Sequence, residues 1–164
     1  MNAHASEFLK IARSRLKFNL FLLTRLPAAF FAGLHVIEVS PAKSVIGISH
    51  RWSNQNPFKS IYFACLGMAA EMSSGILSMM HVYKREPGVS MLVLKVESEY
   101  FKKATGNIRF TCKDGEAIQL AVEETVVTHE PVVCVVKSIG INDKDEVVAI
   151  FSITWSFKAK VGKS

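Results

Sequence analysis

The chain has 164 residues, 49% hydrophobic and 21% charged, with nine glycines, five prolines and a formal charge of +6. Such a composition excludes a disordered or fibrous protein, and the length suits a domain that buries about two-thirds of its unfolded surface. The positive charge favours anionic partners, but the basic residues are scattered without recognition-motif spacing, which argues against nucleic acid and for a phosphate-bearing small molecule.

Residues 6–26 place Leu9, Ala12, Leu16, Leu20 and Leu23 at helical spacing with a basic opposite face. Pro27 is expected to end this helix. Arg13, Arg15, Lys17 and Arg25 punctuate the stretch, so it does not read as a secretory signal. A basic amphipathic helix packs on its own domain or lies at lipid; packing on the domain, with no membrane, is the expectation.

After Gly33 the period changes to two. HVIEVS (35–40) and SVIGISHRW (44–52), joined by Pro41-Ala42-Lys43, predict a hairpin. A long apolar run over 60–82 follows. VSMLVLKVESEYF (89–101) then alternates Leu92, Leu94, Val96, Ser98 and Tyr100 against Lys95, Glu97 and Glu99, which predicts one buried and one wet face. NIRFTC (107–112) predicts a strand, and GEAIQLAVEETVV (115–127) a short helix packed through Ile118, Ala121, Val122 and Thr125.

PVVCVVKSIGI and EVVAIFSITWSF flank the turn cluster Asn142-Asp143-Lys144-Asp145. In the second of these strands Val147, Ala149, Phe151, Ile153, Trp155 and Phe157 alternate with Ser152, Thr154 and Ser156. KAKVGKS (158–164) reads as a loose tail. The outline is helix, two strands, long helix, then four strands interrupted by a short helix: α+β, with an antiparallel sheet of about six strands. Cys65, Cys112 and Cys134 are odd in number and set in apolar runs. They suit reduced core thiols and a cytoplasmic location.

The run 60–82 overlaps transmembrane length, yet Glu71 sits mid-span, where an acid is costly in lipid. Ala, Gly, Ser and Met outnumber Leu and Ile there. A buried helix is expected. Gly67, Ser74, Gly75 and Ser78 stand at −4, +3, +4 and +7 from Glu71 and share its face. A buried carboxylate must be paired, hydrogen-bonded or protonated. Either the serines satisfy it at a packing seam, or the protein uses it.

A long helix wrapped by such a sheet resembles the hotdog fold. Phenylacetate-pathway-type thioesterases of that fold carry an Asn, then a His-Gly-Gly six residues on, then an Asp nine residues beyond the His. Here Asn56 is followed at +6 by Tyr62-Phe63-Ala64, and Glu71 stands at +9 from Tyr62. Tyr62 thus replaces His, Phe63-Ala64 replace Gly-Gly, and Glu71 replaces Asp. A helical Glu also serves the hotdog thioesterases acting on 4-hydroxybenzoyl-CoA. Gly88-Val89-Ser90 resembles the segment where the family places a water-orienting serine. The resemblance spans roughly residues 33–160 as a hotdog domain, with 1–32 as an N-terminal helical extension.

The resemblance implies hydrolysis of an acyl-CoA or acyl-carrier-protein thioester, with coenzyme A present only as part of the substrate. It implies no cofactor. His50 and His81 lack ligand companions, so no metal is assigned. Backbone N–H groups near Phe63 and Ala64 would bind the oxyanion, and Glu71, its pKa raised by apolar walls, would act as general base or nucleophile. Asn56 would orient carbonyl or water, or serve only the turn into the helix; Tyr62 would donate its hydroxyl or pack; and Ser90 would hold water or stand as an ordinary strand-edge serine. Lys84, Arg85, Lys102 and Lys103 flank the helix ends and the third strand, where they are solvated surface charges or meet the coenzyme A nucleotide. Glu71 lies on the order of 13 Å along the axis from its own helix start, so the implied site forms between subunits of a homodimer or dimer of dimers. The alternative is a non-catalytic acyl-thioester-binding protein of the same fold.

Overall fold

A computed structural model describes residue 2 and residues 4–160. Three helices open the chain: α1 (Ala5–Arg13), α2 (Arg15–Arg25) and α3 (Pro27–Ala32). The hairpin β1 (His35–Val39) and β2 (Ser44–Ser49) leads through a short 3-10 turn, Trp52–Asn54, to the long α4 (Phe63–Val82). Then come β3 (Val89–Tyr100), β4 (Asn107–Cys112), α5 (Gly115–Thr128), β5 (Val132–Ile141) and β6 (Val147–Ala159).

All six strands form one antiparallel sheet in the order β1-β2-β4-β5-β6-β3. Helix α4 packs across β2, β4 and β5 and also touches β3, β6 and α5. Its Ala, Leu and Met residues suit a helix, and their small or flexible side chains let it sit close to the sheet. Ala69, Ala70, Leu77 and Met80 are fully buried. Period-two patterning places the opposing wall: Ala149, Phe151, Ile153, Trp155 and Phe157 of β6 are all buried. Helix α5 buries Ile118, Ala121, Val122 and Thr125, as its sequence predicts. Cys65, Cys112 and Cys134 are free and buried, and burial pushes the Cys112 thiol up to about 12. These are inert core thiols.

Three expectations are corrected. The helix over 6–26 breaks at Ser14, whose backbone is extended (φ −89°, ψ 110°) and whose hydroxyl accepts from the Lys17 N–H at 3.5 Å. The break resets the helical phase, so Phe18 and Leu22 are buried in place of Leu16, Leu20 and Leu23. Pro27 does end the preceding helix, since α2 stops at Arg25 and Leu26 is non-helical, and it also starts α3, where its missing N–H costs nothing. In β3, Leu92, Leu94 and Val96 are 64%, 55% and 49% exposed. The physical reason is position: β3 is the sheet edge, and a bulge between Val93 and Lys95 interrupts its alternation. Finally, Lys158 and Ala159 of the expected tail continue β6, paired with Ser90 and Val89; residues 161–164 lie outside the described residues.

Side chains of α1–α3, among them Phe8, Phe18 and Leu22, join the same apolar core as α4 and the sheet. Asn2 anchors the start of this layer. Its amide donates to the Met80 and Tyr83 carbonyls, at 3.3 and 2.6 Å, at the C-terminal end of α4.

Candidate active site

Midway along α4, the Glu71 side chain meets a cavity of about 760 Å³. Phe18 and Phe21 of α2, Ile76 of α4, Met91 and Leu92 of β3, and Trp155 of β6 wall it, and Arg25 and Leu26 also reach it. With these apolar neighbours replacing water, desolvation raises the Glu71 pKa to about 7. Among the described residues nothing hydrogen-bonds or ion-pairs with the carboxylate.

The serines expected beside Glu71 are occupied elsewhere. Ser74 donates to the Glu71 backbone carbonyl at 3.0 Å and accepts the Trp155 indole N–H at 2.9 Å. Ser78 donates to the Ser74 carbonyl at 3.0 Å. Serines in a helix interior commonly bond back to the preceding turn, which leaves the acid unsatisfied. Gly75 does share its face: a Cβ there would stand 3.1 Å from Glu71 Oε1, so the missing side chain leaves room for the carboxylate.

At the N-terminus of α4, Tyr62 is the extended cap residue (φ −62°, ψ 134°). Its N–H donates to the Asn54 carbonyl at 2.8 Å, and its carbonyl accepts from Cys65 and Leu66 at 2.9 and 3.3 Å. The Phe63 and Ala64 N–H groups between them have no acceptor among the described residues. They are the helix's unpaired first-turn donors, backed by its dipole. A second cavity, about 560 Å³, opens here and brings together Asn56, Tyr62, Phe63, Tyr100, Lys102 and Lys103. Tyr62 packs edge-on against Phe63, with centroids 4.9 Å apart. Lys102 pairs with Glu146 at 2.7 Å.

Asn56 borders this cavity, but its amide is committed to its own loop. Oδ1 accepts from the Phe58 N–H at 3.0 Å and the Ser60 N–H at 3.3 Å, and Nδ2 meets Ser60 Oγ at 3.0 Å. Lys84 and Arg85 are not at this cavity. They follow the other end of α4, which at 20 residues puts them roughly 30 Å away, and Lys84 pairs with Glu7 at 2.6 Å. Within one chain the four basic residues therefore do not form one cluster. Ser90 borders neither cavity; its hydroxyl donates to the Lys158 carbonyl at 3.1 Å.

Within one chain, eight residues of helix separate Glu71 from Phe63, about 12 Å. His81, further along α4, is fully buried, neither ring nitrogen has a hydrogen-bond partner among the described residues, and desolvation holds its pKa down to about 4. No group of three metal-ligating side chains occurs among the described residues. The cavity walls contributed by α2 escape a reading of the motif around residue 56. Their only sequence signal is the spacing of Phe18, Phe21 and Arg25, at three and four residues on one helical face.

A long helix against a six-stranded antiparallel sheet in this order defines a hotdog-fold protein. More narrowly, the chain belongs to the family described as domain of unknown function (DUF4442), which matches residues 14–157. Among solved structures it is similar to a Pseudomonas aeruginosa protein of unknown function, described as a probable thioesterase. That pair shares 18% identity over 92% of this chain and 99% of the other, at a TM-score of 0.74. A Chlorobaculum tepidum protein of unknown function matches at 14% identity over 91% and 99% of the two chains, also at 0.74. A Haemophilus influenzae thioesterase matches at 11% identity over 91% and 93%, at 0.65. At these identities the likeness establishes the shared fold. No curated protein matches the chain.

Proposed function

We propose that the protein hydrolyses an acyl thioester, carried by coenzyme A or an acyl-carrier protein, at a site completed by two copies of the chain. The observation that carries this reading is Glu71: a carboxyl facing an apolar cavity, unpaired among the described residues, with a pKa of about 7. A group so tuned accepts a proton at neutral pH as readily as it returns one. The descriptions of the Pseudomonas and Haemophilus proteins as thioesterases, the former only as probable, agree with it.

In this mechanism the acyl carbonyl oxygen of the substrate lies against the Phe63 and Ala64 N–H groups of one copy, and Glu71 comes from the other. Glu71 takes a proton from water as the water oxygen bonds to the acyl carbon; collapse of the tetrahedral adduct breaks the C–S bond, and the thiolate recovers the proton. Direct attack by the Glu71 carboxylate, giving an acyl anhydride that water then cleaves, is the other course open to the same group. Tyr62 supplies a hydroxyl near the oxyanion, Asn56 fixes the loop before the helix, and Lys102 and Lys103 meet the carrier's phosphates. Ser90 stands in the strand beside Met91 and would orient water only by leaving the Lys158 carbonyl. Residues 1–32 extend a hotdog domain of residues 33–160 and wall the acyl pocket through Phe18 and Phe21. The edge strand β3 joins its counterpart in the second copy. Buried reduced thiols support a cytoplasmic setting, and the scheme uses no cofactor.

The test is thiol release from a panel of acyl-CoA and acyl-carrier-protein substrates by wild type and Glu71→Gln. A loss in kcat of about 10²-fold or more is expected; equal rates would end the catalytic claim. A second reading, a non-catalytic acyl-thioester-binding protein, is favoured by the engaged Asn56 amide and by the side chains at Phe63 and Ala64. It holds if a non-hydrolysable analogue binds while its parent thioester is not cleaved.

A further inference from the structure

We infer that α2 is a docking surface for an anionic lipid bilayer. The helix face turned away from the core carries Leu16, Leu20 and Leu23, at i, i+4 and i+7, exposed at 82%, 61% and 45%. Leu26 and Phe31, 45% and 64% exposed, carry the apolar surface onto the adjoining α3. Single exposed leucines are ordinary; a continuous aliphatic stripe along one helix is an interaction surface.

Charge selects the occupant. Between Glu7 and Glu38 the chain contains no carboxylate, but it contains Lys10, Arg13, Arg15, Lys17 and Arg25. Elsewhere carboxylates are interspersed with the cations, and Lys43, Lys84, Lys95, Lys102 and Arg109 each pair with one, although other surface cations, such as Lys59, Lys103 and Lys137, do not among the described residues. Among the described residues Lys10, Arg15, Lys17 and Arg25 have none. Arg15 and Lys17 bracket Leu16 and project to either side of the leucine stripe, so their charges would reach headgroup phosphates when the leucines enter the bilayer. A second copy seated on the same stripe would set these cations against their own equivalents, which is repulsive. An anionic bilayer satisfies both halves of the surface at once.

Leu26, just past the stripe, also reaches the Glu71 cavity, and Arg25 reaches it from the opposite face of α2. Docking through α2 would therefore bring that rim to the lipid surface, where amphiphiles carrying acyl chains are concentrated. The docking itself stands on α2 alone and does not depend on hydrolysis.

The test is co-sedimentation of the full chain with vesicles of phosphatidylcholine alone or with about one-third phosphatidylglycerol. Wild type is expected to partition at least about tenfold more onto the anionic vesicles, with the preference falling as salt rises. Leu16→Ser/Leu20→Ser/Leu23→Ser should lose about tenfold or more of the binding, and Arg15→Gln/Lys17→Gln should lose the anionic preference. Both variants alter exposed side chains, and circular dichroism and gel filtration should match wild type. The inference fails if wild type ignores anionic vesicles, or if the leucine variant binds them like wild type. It also fails if the leucine variant changes the oligomeric state, which would assign the stripe to a contact between copies. Binding of an acidic carrier protein but no vesicle, lost in the same leucine variant, would likewise overturn it.

Discussion

Two ionisable residues of α4, the half-buried Glu71 and the buried His81, are pushed in opposite directions by the same cause. Desolvation penalises the charged form of each, raising Glu71 from 4.5 to about 7 and lowering His81 from 6.5 to about 4. Folding therefore favours a protonated Glu71, a contribution present below pH 4.5 and lost as pH rises through 7. It also favours a neutral His81, a contribution present above pH 6.5 and lost as pH falls through 4. Between pH 4.5 and 6.5 the folded chain holds one proton on Glu71, where the unfolded chain holds one on His81, so the two slopes cancel. Glu71→Gln should expose the His81 slope: relative to wild type, its urea midpoint should rise with pH across that window. Each contribution is worth about 3 kcal/mol. His81→Leu should show the opposite slope. Unchanged pH profiles would contradict the burial assigned to these groups. That Glu71 would be desolvated was legible because it is the one charge in a long apolar run. The fate of the serines beside it was not: spacing puts them on its face, but only the backbone decides that their hydroxyls turn to carbonyls of their own helix.

Among the elements, α4 is the clearest in sequence, and its start is where the candidate chemistry can be tested most cleanly. Proline at the first helical position keeps the helix while removing one N–H, and the extended backbone of Tyr62 is the conformation a following proline requires. Phe63→Pro should therefore fold and cost about 10²-fold in kcat if that N–H binds the oxyanion. Phe63→Ala, which keeps the N–H, should retain most of the rate. Comparable rates for the two variants would remove the helix terminus from the mechanism. Strands β5 and β6 and helix α5 were readable from periodicity. The break at Ser14 was not, because serine is tolerated inside a helix and caps one equally well. That single residue turned Leu16, Leu20 and Leu23 outward, so an apolar stripe read as core became surface. The spacing of Asn56, Tyr62 and Glu71 led to the start and the middle of one helix. It did not reveal that separate cavities lie at those two places.

At the scale of the whole molecule, β3 is a 12-residue strand with one free edge. Long apolar edges are normally shortened, charged or covered, and here Leu92, Leu94, Val96 and Tyr100 remain exposed. Alternation alone predicted a buried face for this strand; strand order, which no local pattern encodes, left it uncovered in a single chain. Pairing of β3 with the same strand of a second copy would cover it and bring Glu71 toward a helix start other than its own. Leu94→Lys/Val96→Lys should thus yield a folded monomer by analytical ultracentrifugation, with thioester turnover lost alongside the dimer. A fully active monomer would show that one chain suffices. The two tryptophans offer a spectroscopic consequence. Trp155, 3% exposed, forms part of the wall beside Glu71, whereas Trp52 is 85% exposed. Their emission should differ in wavelength, and an aqueous quencher such as iodide should silence Trp52 first. The remaining blue-shifted fluorescence then reports whatever enters the chamber, without any label attached.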